Sequence, residues 1–383
     1  MTRRIAVLTT GRQDWGMLRP LCEELHSDPS FDLFVVAGGM ACDRRYCNVA
    51  EEIEKSGLPL SYRMEWDVEK EPAIQASNAI EQISRALDET KPEAIVLLGD
   101  RYETCAGAFS ATLKRVPIVH LYGGEETEGA FDNAFRHAIS KMSHLHFAAN
   151  EVYARRLIAM GENPEAVHVV GLLSLDIAAQ HKLPDRHDLE SSLGIKLEPP
   201  IFLVTLHPAT LGDSPDVEFS ALAGAMKAFT GTWIVTLPNA DPGGVDIRKY
   251  WEKVKGEIQD LHCYSALGED RYLGLMKLAA VVIGNSSSGL TEAPFFRVPS
   301  VNIGDRQKGR LRSISVIDAR PLAEEIINAI RKARDPIFMG SIIDMKPAYG
   351  QGNASKLIST TLKNWKIPRD CRKPFYEAPD ERS

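Results

Sequence analysis

Ionisable residues follow two apolar runs in the first half of the sequence. Asp100 and Arg101 come directly after one run, and Glu125, Glu128 and Asp132 follow the next. Such runs are typical of buried parallel strands, and open α/β sheets bind ligands at the carboxyl ends of their strands. We therefore expect these five side chains on one rim. Several carboxylates on one rim suit proton transfer, because like charges push their pKa values apart and so supply an acid and a base. The alternative is that these acids are helix caps and surface residues, since carboxylates favour helix N-termini.

Apolar strand patterns and amphipathic helix patterns alternate around this rim, which predicts a parallel, doubly wound α/β sheet. The predicted elements of this half include strands over 5–10, 31–39, 60–64, 94–98, 118–121, 145–149 and 167–171, and helices over 17–26, 48–56, 72–90, 103–114, 132–142 and 150–160.

A polar stretch over 179–200, ending in Glu198-Pro199-Pro200, predicts a linker before a second sheet. The strands of that sheet are predicted over 201–206, 233–237, 262–264, 279–284 and 300–303, and 300–303 completes the set. The 383 residues suit two domains. We assign 1–178 to an N-terminal domain and 179–361 to a C-terminal domain, and we expect the segment from about 362 to 383 to pack back on the first.

The second half carries a serine-rich loop that suits a phosphate. Ser286 and Ser287 stand between Gly284 and Gly289, after a predicted buried strand and before an apparent helix. Backbone N–H groups, a helix N-terminus and serine hydroxyls are donors that bind such an anion. Glu292, one turn further on, is placed to accept hydrogen bonds from ribose hydroxyls. The alternative is a flexible serine loop or an ordinary helix cap.

Other strand ends and loops add polar groups. His207 precedes a proline, which favours extended backbone and lets the ring point into a cleft, although a single histidine is also compatible with a structural role. Asn239 and Asp241 follow the next strand, and Arg306 follows the last, where it either contacts a phosphate or braces Glu292. Arg12, in the first turn of the chain, is a further candidate for a phosphate or sugar contact.

Composition narrows the class of protein. A net charge of −7 argues against nucleic-acid binding, and no apolar stretch approaches the ~18 residues of a membrane span. The six cysteines form no zinc-type spacing, so free thiols in the cytoplasm are expected. We expect no metal site, and the sequence contains no G-x-G-x-x-G dinucleotide fingerprint, no P-loop and no G-x-S-x-G elbow.

Six motifs in one order resemble the UDP-hydrolysing UDP-N-acetylglucosamine 2-epimerases of sialic-acid-type sugar biosynthesis. The resemblance runs from about residue 5 to residue 315. The motifs are Gly99-Asp100-Arg101; His120-x-x-Gly-Gly-Glu125-x-Thr-Glu-Gly-Ala-x-Asp132 with Arg136-His137; His207-Pro208; Pro238-Asn239-x-Asp241; Gly284-Asn285-Ser286-Ser287-Ser288-Gly289; and Gly304-x-Arg306-Gln307.

The resemblance implies a GT-B-like fold, with two Rossmann-like domains and an interdomain cleft. It also implies a reaction that converts UDP-N-acetylglucosamine to UDP and N-acetylmannosamine. UDP leaves C1 as a proton leaves C2, giving a 2-acetamidoglucal, and water then adds at C1 while a proton returns to C2 with inversion. No cofactor is implied, the partners are the UDP-sugar and UDP, and a homodimer or homotetramer is expected.

The resemblance also implies roles for individual residues. Asp100 and Asp132 are the acid/base pair, and His207 lies beside the leaving diphosphate. Glu125 is a further catalytic residue. The binding residues are, for phosphate, Arg12, Ser286 and Ser287; for ribose, Glu292; for support of the site, Arg101 and Arg306; and, within the quoted motifs, Tyr122, Glu128, Arg136, Asn239 and Asp241.

Two positions depart from the family pattern near the expected hexose. Tyr122 stands where many members carry an acid, so Tyr122, Glu125 or Glu128 takes that role or the substrate differs. Ala41 stands where many members carry a histidine. These departures make the same mechanism on UDP-2,4-diacetamido-2,4,6-trideoxyglucose the natural alternative. Two alternatives of other classes are a GT-B glycosyltransferase that uses the same nucleotide site and a non-catalytic nucleotide-sugar binder.

Overall fold

Two parallel β-sheets organise the chain, each in its own unit. The computed structural model describes residues 2–46, 48–126, 132–180, 182–207, 215–237, 250–265, 267–369 and 371–377. Unit 1 comprises Met1–Ile177 together with Gly352–Ser383, and unit 2 comprises Ala178–Gln351. Within the described residues, no helix is both long enough and apolar enough to cross a membrane.

Unit 1 contains a seven-stranded sheet in the order β3-β2-β1-β4-β5-β6-β7. Its strand pairs are all parallel, and the central strands consist of residues that are buried on both faces, which explains their continuous apolar runs. The strands are β1 (Arg3–Thr9), β2 (Phe31–Gly38), β3 (Leu60–Met64), β4 (Ala94–Leu98), β5 (Ile118–Leu121), β6 (Leu145–Ala148) and β7 (Val167–Val169).

Helices connect these strands, as a parallel sheet requires. They are α1 (Arg12–Ser27), α2 (Val49–Lys55), α3 (Pro72–Thr90), α4 (Tyr102–Leu113), α5 (Asp132–Met142) and α6 (Glu151–Ala159), and α7 (Ser174–Gln180) follows the last strand. The longest of them, α3, lays Ile83 and Leu87 into the core with Leu97 of β4, and its C-cap Lys91 has a left-handed φ of 44° directly before Pro92.

Unit 2 contains a six-stranded parallel sheet in the order β10-β9-β8-β11-β12-β13. Phe202 of β8 stacks on Trp233 of β9, with ring centroids 4.1 Å apart, inside its core. The strands are β8 (Ile201–Thr205), β9 (Thr232–Thr236), β10 (Leu261–Tyr264), β11 (Val281–Gly284), β12 (Ser300–Ile303) and β13 (Val316–Ala319). The helices are α8 (Arg186–Leu193), α9 (Pro215–Met226), α10 (described over 250–254), α11 (Glu269–Leu278), α12 (Glu292–Phe295), α13 (Ala323–Ala333) and α14 (Pro336–Ile342).

Two sequence expectations for unit 2 were wrong. The stretch predicted as a linker contains α8, which a capping box between Asp185 and Asp188 starts and whose Leu189 is fully buried. A helix of eight residues with one core side chain leaves too little apolar periodicity to detect. The set of strands does not end at Ile303, since β13 pairs with β12. β13 is a short edge strand with alternating burial, so it lacks a continuous apolar run.

The chain then returns to unit 1 through α15 (Ala354–Asn364), which packs on α1. The buried carboxylate of Asp176 accepts hydrogen bonds from the backbone N–H groups of Ala354 and Ser355, at 2.8 and 2.7 Å. The return begins at Gly352, earlier than the 362 expected from sequence. This difference arises because α15 itself belongs to unit 1.

Residues 371–377 continue along unit 1 and meet a buried carboxylate. Lys373 Nζ lies 2.5 Å from Glu162, and Lys141 Nζ lies 2.8 Å from the same side chain. His146 Nε2 is 2.7 Å from it. Burial opposes the ionisation of Glu162, but these contacts outweigh burial and lower its pKa to about 2. The carboxylate therefore ties the C-terminal segment to α5 and β6.

Candidate functional site

The strand order in the sheet of unit 1 reverses between β1 and β4. The strands β2 and β3 are added on one side of β1, and β5 to β7 follow β4 on the other side. In open α/β sheets such a switch point forms a crevice that binds ligands. The sequence places Arg12 at the start of α1, after β1, and Asp100 and Arg101 directly after β4. Three of the predicted site residues therefore lie at the edge where this fold binds ligands.

Asp100 is held by an arginine from α5. The buried guanidinium of Arg136 donates a hydrogen bond to the Asp100 carboxylate, whose side chain is 25% exposed. A second nitrogen of Arg136 donates to Asn133 Oδ1 at 3.0 Å. Asp132 begins α5 one turn before Arg136, and residues four apart lie on the same face of a helix. The Arg136 contact thus brings the first turn of α5, with Asp132, to Asp100.

Arg101 belongs to a buried cluster that the sequence analysis did not identify. Its guanidinium donates to Glu103 at 3.1 and 2.6 Å, and it also faces the carboxylate of Asp14. Asp14 accepts hydrogen bonds from the N–H and O–H of Thr10, at 2.9 and 2.8 Å, and burial raises its pKa. Acids in the first turn of a helix look like ordinary caps in a sequence, so nothing distinguished these two.

Tyr122 is a core residue, which contradicts its assignment as a substrate-binding residue in place of the missing acid. The residue is 5% exposed, and its hydroxyl accepts a hydrogen bond from the Leu173 N–H at 2.6 Å. Burial raises the pKa of that hydroxyl. The backbone at Tyr122 has a φ of 65°, in the left-handed region, which turns the ring inward at the end of β5.

The next residues of this loop include a partly buried carboxylate. Glu125 is partly buried, and its charge contributes to the raised pKa of Tyr122. Arg156 anchors the loop by donating to the Gly124 carbonyl at 2.5 Å and by pairing with Glu126 at 3.3 Å. Glu128 lies outside the described residues. Of the three side chains nominated for the missing acid, Glu125 is the one whose described environment suits the role.

The sheet of unit 2 has its own switch point, between β8 and β11. His207 follows β8, and Asn285 and Ser286 follow β11. The fully buried side chain of Asn285 joins the two strand ends, because its Oδ1 accepts from the His207 N–H at 2.8 Å and its Nδ2 donates to the His207 carbonyl at 2.9 Å. Asn285 is part of the motif that runs from Gly284 to Gly289, but the sequence alone predicted no role for its side chain.

Gly284 allows the close approach of these two strand ends. Its φ is 135°, and a Cβ atom there would collide with the backbone carbonyl of Thr205 on β8. The Asn285 N–H donates to that same carbonyl at 3.2 Å. A glycine is therefore required directly before Asn285.

The serine loop forms a short turn whose hydroxyls are only partly used. Ser286 caps the 3-10 turn Ser287–Gly289, and its hydroxyl accepts from that of Ser288 at 3.0 Å. Ser288 in turn contacts the buried Tyr272 hydroxyl at 2.6 Å. In the described part of the chain the hydroxyl of Ser287 has no hydrogen-bond partner, so it is available to an anion.

Glu292 follows the serine loop in the sequence, and Arg306 follows β12. Glu292 begins α12, and the Thr291 hydroxyl donates to its carboxylate. Arg306 donates to the Asn285 carbonyl at 3.1 Å and interacts with Glu218, whose pKa is raised by burial. The idea that Arg306 braces Glu292 was therefore wrong. Asn239 and Asp241 lie outside the described residues.

One group of possible metal ligands occurs among the described residues. Asp185, His187 and Asp188 lie together at the start of α8, and all three are exposed. Because Asp185 and Asp188 form the capping box of that helix, their arrangement has a structural explanation.

Comparison with known proteins identifies similar sequences. A family model described as UDP-N-acetylglucosamine 2-epimerase matches residues 23–363. The chain is 35% identical to a GDP/UDP-N,N'-diacetylbacillosamine 2-epimerase (hydrolyzing) of Campylobacter jejuni, over 98% of this chain and 99% of that protein. It is 32% identical to a UDP-N,N'-diacetylbacillosamine 2-epimerase (hydrolyzing) of Legionella pneumophila, over 95% and 96%. It is 31% identical to a UDP-N-acetylglucosamine 2-epimerase of Neisseria meningitidis serogroup B, over 86% and 87%.

The fold is also similar to that of solved structures. A crystal structure of the UDP-GlcNAc 2-epimerase from Neisseria meningitidis bound to UDP-GlcNAc aligns with a TM-score of 0.78, at 18% identity, over 94% of this chain and 100% of that one. At this level of identity the likeness concerns the fold alone. It confirms the prediction of two Rossmann-like α/β domains of the GT-B type.

Proposed function

Because the chain belongs to the UDP-N-acetylglucosamine 2-epimerase family, we propose that it is a hydrolysing 2-epimerase that releases UDP from a UDP-2-acetamido sugar and inverts C2. The observation that carries the proposal is the contact between Arg136 and Asp100, which gathers a carboxylate, its cationic partner and the first turn of α5 at the switch point of unit 1. Two relatives above 30% identity are named as hydrolysing enzymes, which supports the same reaction class.

The proposed reaction is redox-neutral and has two stages. A base removes the proton from C2 while the C1–O bond breaks and its electrons leave with UDP, so that a C1=C2 double bond forms in a 2-acetamidoglucal. Water then adds its oxygen to C1, and an acid returns a proton to C2 on the opposite face. Both stages need general acid–base groups within reach of C2.

Unit 1 supplies those groups in this proposal. Asp100 and Asp132 exchange the C2 proton on the two faces of the sugar, and Glu125 takes the role of the acid that the family pattern places at Tyr122. The guanidinium of Arg136 pairs with the carboxylate of Asp100 and holds it in place. Arg101 supports the turn that carries Asp100, since it is itself held by Glu103.

Unit 2 binds the nucleotide. Ser286 and Ser287 donate to phosphate oxygens, and Glu292 accepts from the ribose. His207 lies beside the leaving diphosphate and neutralises the charge that develops there. Arg12, Arg306, Asn239, Asp241 and Glu128 complete the proposed set of binding residues.

We favour UDP-N,N'-diacetylbacillosamine, which is UDP-2,4-diacetamido-2,4,6-trideoxyglucose, as the sugar donor. Two relatives that cover nearly the whole chain, at 35% and 32% identity, carry this substrate in their names. The second candidate is UDP-N-acetylglucosamine, which a relative at 31% identity carries in its name. The acid and the histidine that many family members carry are absent at Tyr122 and Ala41, which agrees with a site for a different hexose.

The test is an assay of purified enzyme with each UDP-sugar in deuterated water, followed by NMR. We expect UDP and a free 2-epimeric sugar that carries deuterium at C2, with the higher kcat/KM for the diacetamido sugar. Higher kcat/KM with UDP-N-acetylglucosamine would reverse the choice of substrate. Absence of UDP release from both sugars would refute the reaction, and turnover that requires an added acceptor would indicate a glycosyltransferase instead.

A further inference from the structure

A fully buried histidine on β5 contacts the residue that precedes Asp100. His120 Nε2 lies 2.9 Å from the Gly99 carbonyl, and Nδ1 lies 3.0 Å from the hydroxyl of Ser140 on α5. His120 and Ser140 are both 0% exposed. Neither residue has a role in the proposed reaction so far.

These contacts are part of a ring of hydrogen bonds that includes Asp100. The Ser140 hydroxyl lies 3.0 Å from the backbone carbonyl of Arg136, one turn earlier on α5. The side chain of Arg136 in turn donates to the Asp100 carboxylate. His120 and Ser140 therefore link the two backbone segments that carry Asp100 and Arg136, and the ion pair between those residues closes the ring.

The chemistry of the groups fixes which nitrogen of His120 carries hydrogen. A carbonyl oxygen only accepts, so Nε2 donates to Gly99. Burial lowers the pKa of His120 to about 3, so the ring is neutral near pH 7 and Nδ1 accepts from Ser140. The single Ser140 proton is then shared between Nδ1 and the Arg136 carbonyl. Loss of the Nε2 donor would leave the Gly99 carbonyl without this partner.

Gly123, in the loop after β5, gives the pair its space. A Cβ atom at Gly123 would lie 2.8 Å from Ser140 Oγ and 2.9 Å from His120 Nδ1, closer than real Cβ contacts allow. The backbone of the loop after β5 therefore passes directly over the contact between His120 and Ser140. A substitution that adds one carbon here presses on that contact.

We propose that His120 is a positioning residue, which fixes Asp100 against the sugar through the Gly99 carbonyl and fixes Arg136 through Ser140. The inference rests on the proposed 2-epimerase function. His120 touches no reacting atom in this proposal and exchanges no proton with substrate. Its effect is on the geometry of Asp100, so it acts on the rate of the chemical steps rather than on nucleotide binding in unit 2.

The test compares two variants of His120. The Nε2 of a glutamine reaches about as far as the Nε2 of histidine, so His120→Gln keeps the donor to Gly99, whereas His120→Leu removes it. We expect His120→Leu to lower kcat about 10- to 100-fold with KM changed less than about twofold, and His120→Gln to recover most of kcat. Gly123→Ala should lower kcat in the same way, because its added Cβ presses on the contact between His120 and Ser140 while both of those residues stay unmutated.

His146 provides the matched control. It lies beside His120 in the register of β5 and β6, is equally buried and contacts Glu162 instead of the Gly99 carbonyl. His146→Leu should reduce the free energy of unfolding and leave kcat unchanged. The inference is overturned if His120→Leu keeps wild-type kcat, if His120→Gln is as slow as His120→Leu, or if His146→Leu slows kcat equally.

Hydrogen exchange separates this inference from the proposed function. We expect amides 98–101 of the folded protein to exchange faster in His120→Leu than in wild type, and near the wild-type rate in His120→Gln. If the wild type turns over no UDP-sugar, the proposed function fails, while this exchange pattern still tests the link from His120 to Asp100. Unchanged exchange in His120→Leu would refute the link. If that variant does not fold, Gly123→Ala and His120→Gln decide the question.

Discussion

The side chain of Asn285 pairs with both polar groups of the His207 backbone, accepting from its N–H at 2.8 Å and donating to its carbonyl at 2.9 Å. The carbonyl of Asn285 itself accepts from Arg306 and Gln307, at 3.1 and 2.8 Å. One buried residue therefore connects His207 to the loop that carries Arg306. The position of the His207 ring depends on this pairing, since the side chain follows the backbone that Asn285 holds.

We expect Asn285→Ala to lower turnover at least about 10-fold and to reduce the free energy of unfolding by about 1–3 kcal/mol, because it leaves buried backbone groups of His207 unpaired. UDP release and urea unfolding measure the two effects. Asn302→Ala is the control, since Asn302 is buried on the neighbouring β12 and donates to Asp318 instead. It should lose stability and keep its turnover. Wild-type turnover in Asn285→Ala would contradict the role.

Asp100→Asn tests the proposed base while preserving shape. The amide retains an oxygen that accepts from Arg136 but no longer takes a proton, so we expect turnover to fall at least ~10²-fold. UDP release measures the fall, and unfolding in urea checks that the variant is folded. Asp32→Asn, at an exposed position of β2, should behave as wild type. Near-normal activity of Asp100→Asn would remove Asp100 from the mechanism.

Tyr122 and Glu125 should respond in opposite ways to removal of one polar group. Tyr122→Phe leaves the buried Leu173 N–H unpaired, so we expect it to cost about 1–3 kcal/mol of stability and to change turnover less than about twofold. Glu125→Gln should lose turnover about 10²-fold and keep its stability. Steady-state kinetics and thermal unfolding on both variants distinguish the roles. A large loss of kcat in Tyr122→Phe with normal stability would indicate that Tyr122 takes part in the reaction.

Stability should depend on pH through Glu162. Its pKa is about 2 in the folded protein, below the ordinary value of 4.5, so its ionised form stabilises the fold above about pH 5 and this contribution is lost as the pH falls towards 2. We expect Glu162→Gln to be less stable than wild type by roughly 3 kcal/mol at pH 7, with the difference disappearing in that acid range. Urea unfolding at several pH values measures it. Glu165→Gln, exposed nearby, should show no such difference, and a gap for Glu162→Gln that persists at pH 2 would contradict the assignment.

Periodicity and apolar runs predicted the elements that build the rim of unit 1. β3, β4, β5, α3 and α5 begin and end where the sequence indicated. β4 and β5 are runs buried on both faces, β3 alternates between exposed and less exposed residues, and α3 and α5 are helices with regular apolar spacing. Pro92 marks the end of α3. Such local signals require no knowledge of the rest of the chain.

Contacts between residues that are distant in sequence could not be predicted from such local signals. Asn285 and His207 are 78 residues apart, and His120 and Ser140 are 20 apart, so no local pattern links them. The inward turn of Tyr122 depends on a left-handed backbone that a tyrosine rarely adopts. The partners of Arg306 likewise depend on how β8 and β11 meet, which the sequence of either strand does not specify.

The discontinuity of unit 1 has a consequence for synthesis. The ribosome produces the whole of unit 2 before α15 and the segment with Lys373 emerge. Until then the carboxylates of Asp176 and Glu162 lack the backbone donors and the ammonium group that they bind in the finished protein. Unit 2 is therefore free to fold during translation, whereas the nascent unit 1 reaches its final packing only after α15 and the segment with Lys373 have been synthesised.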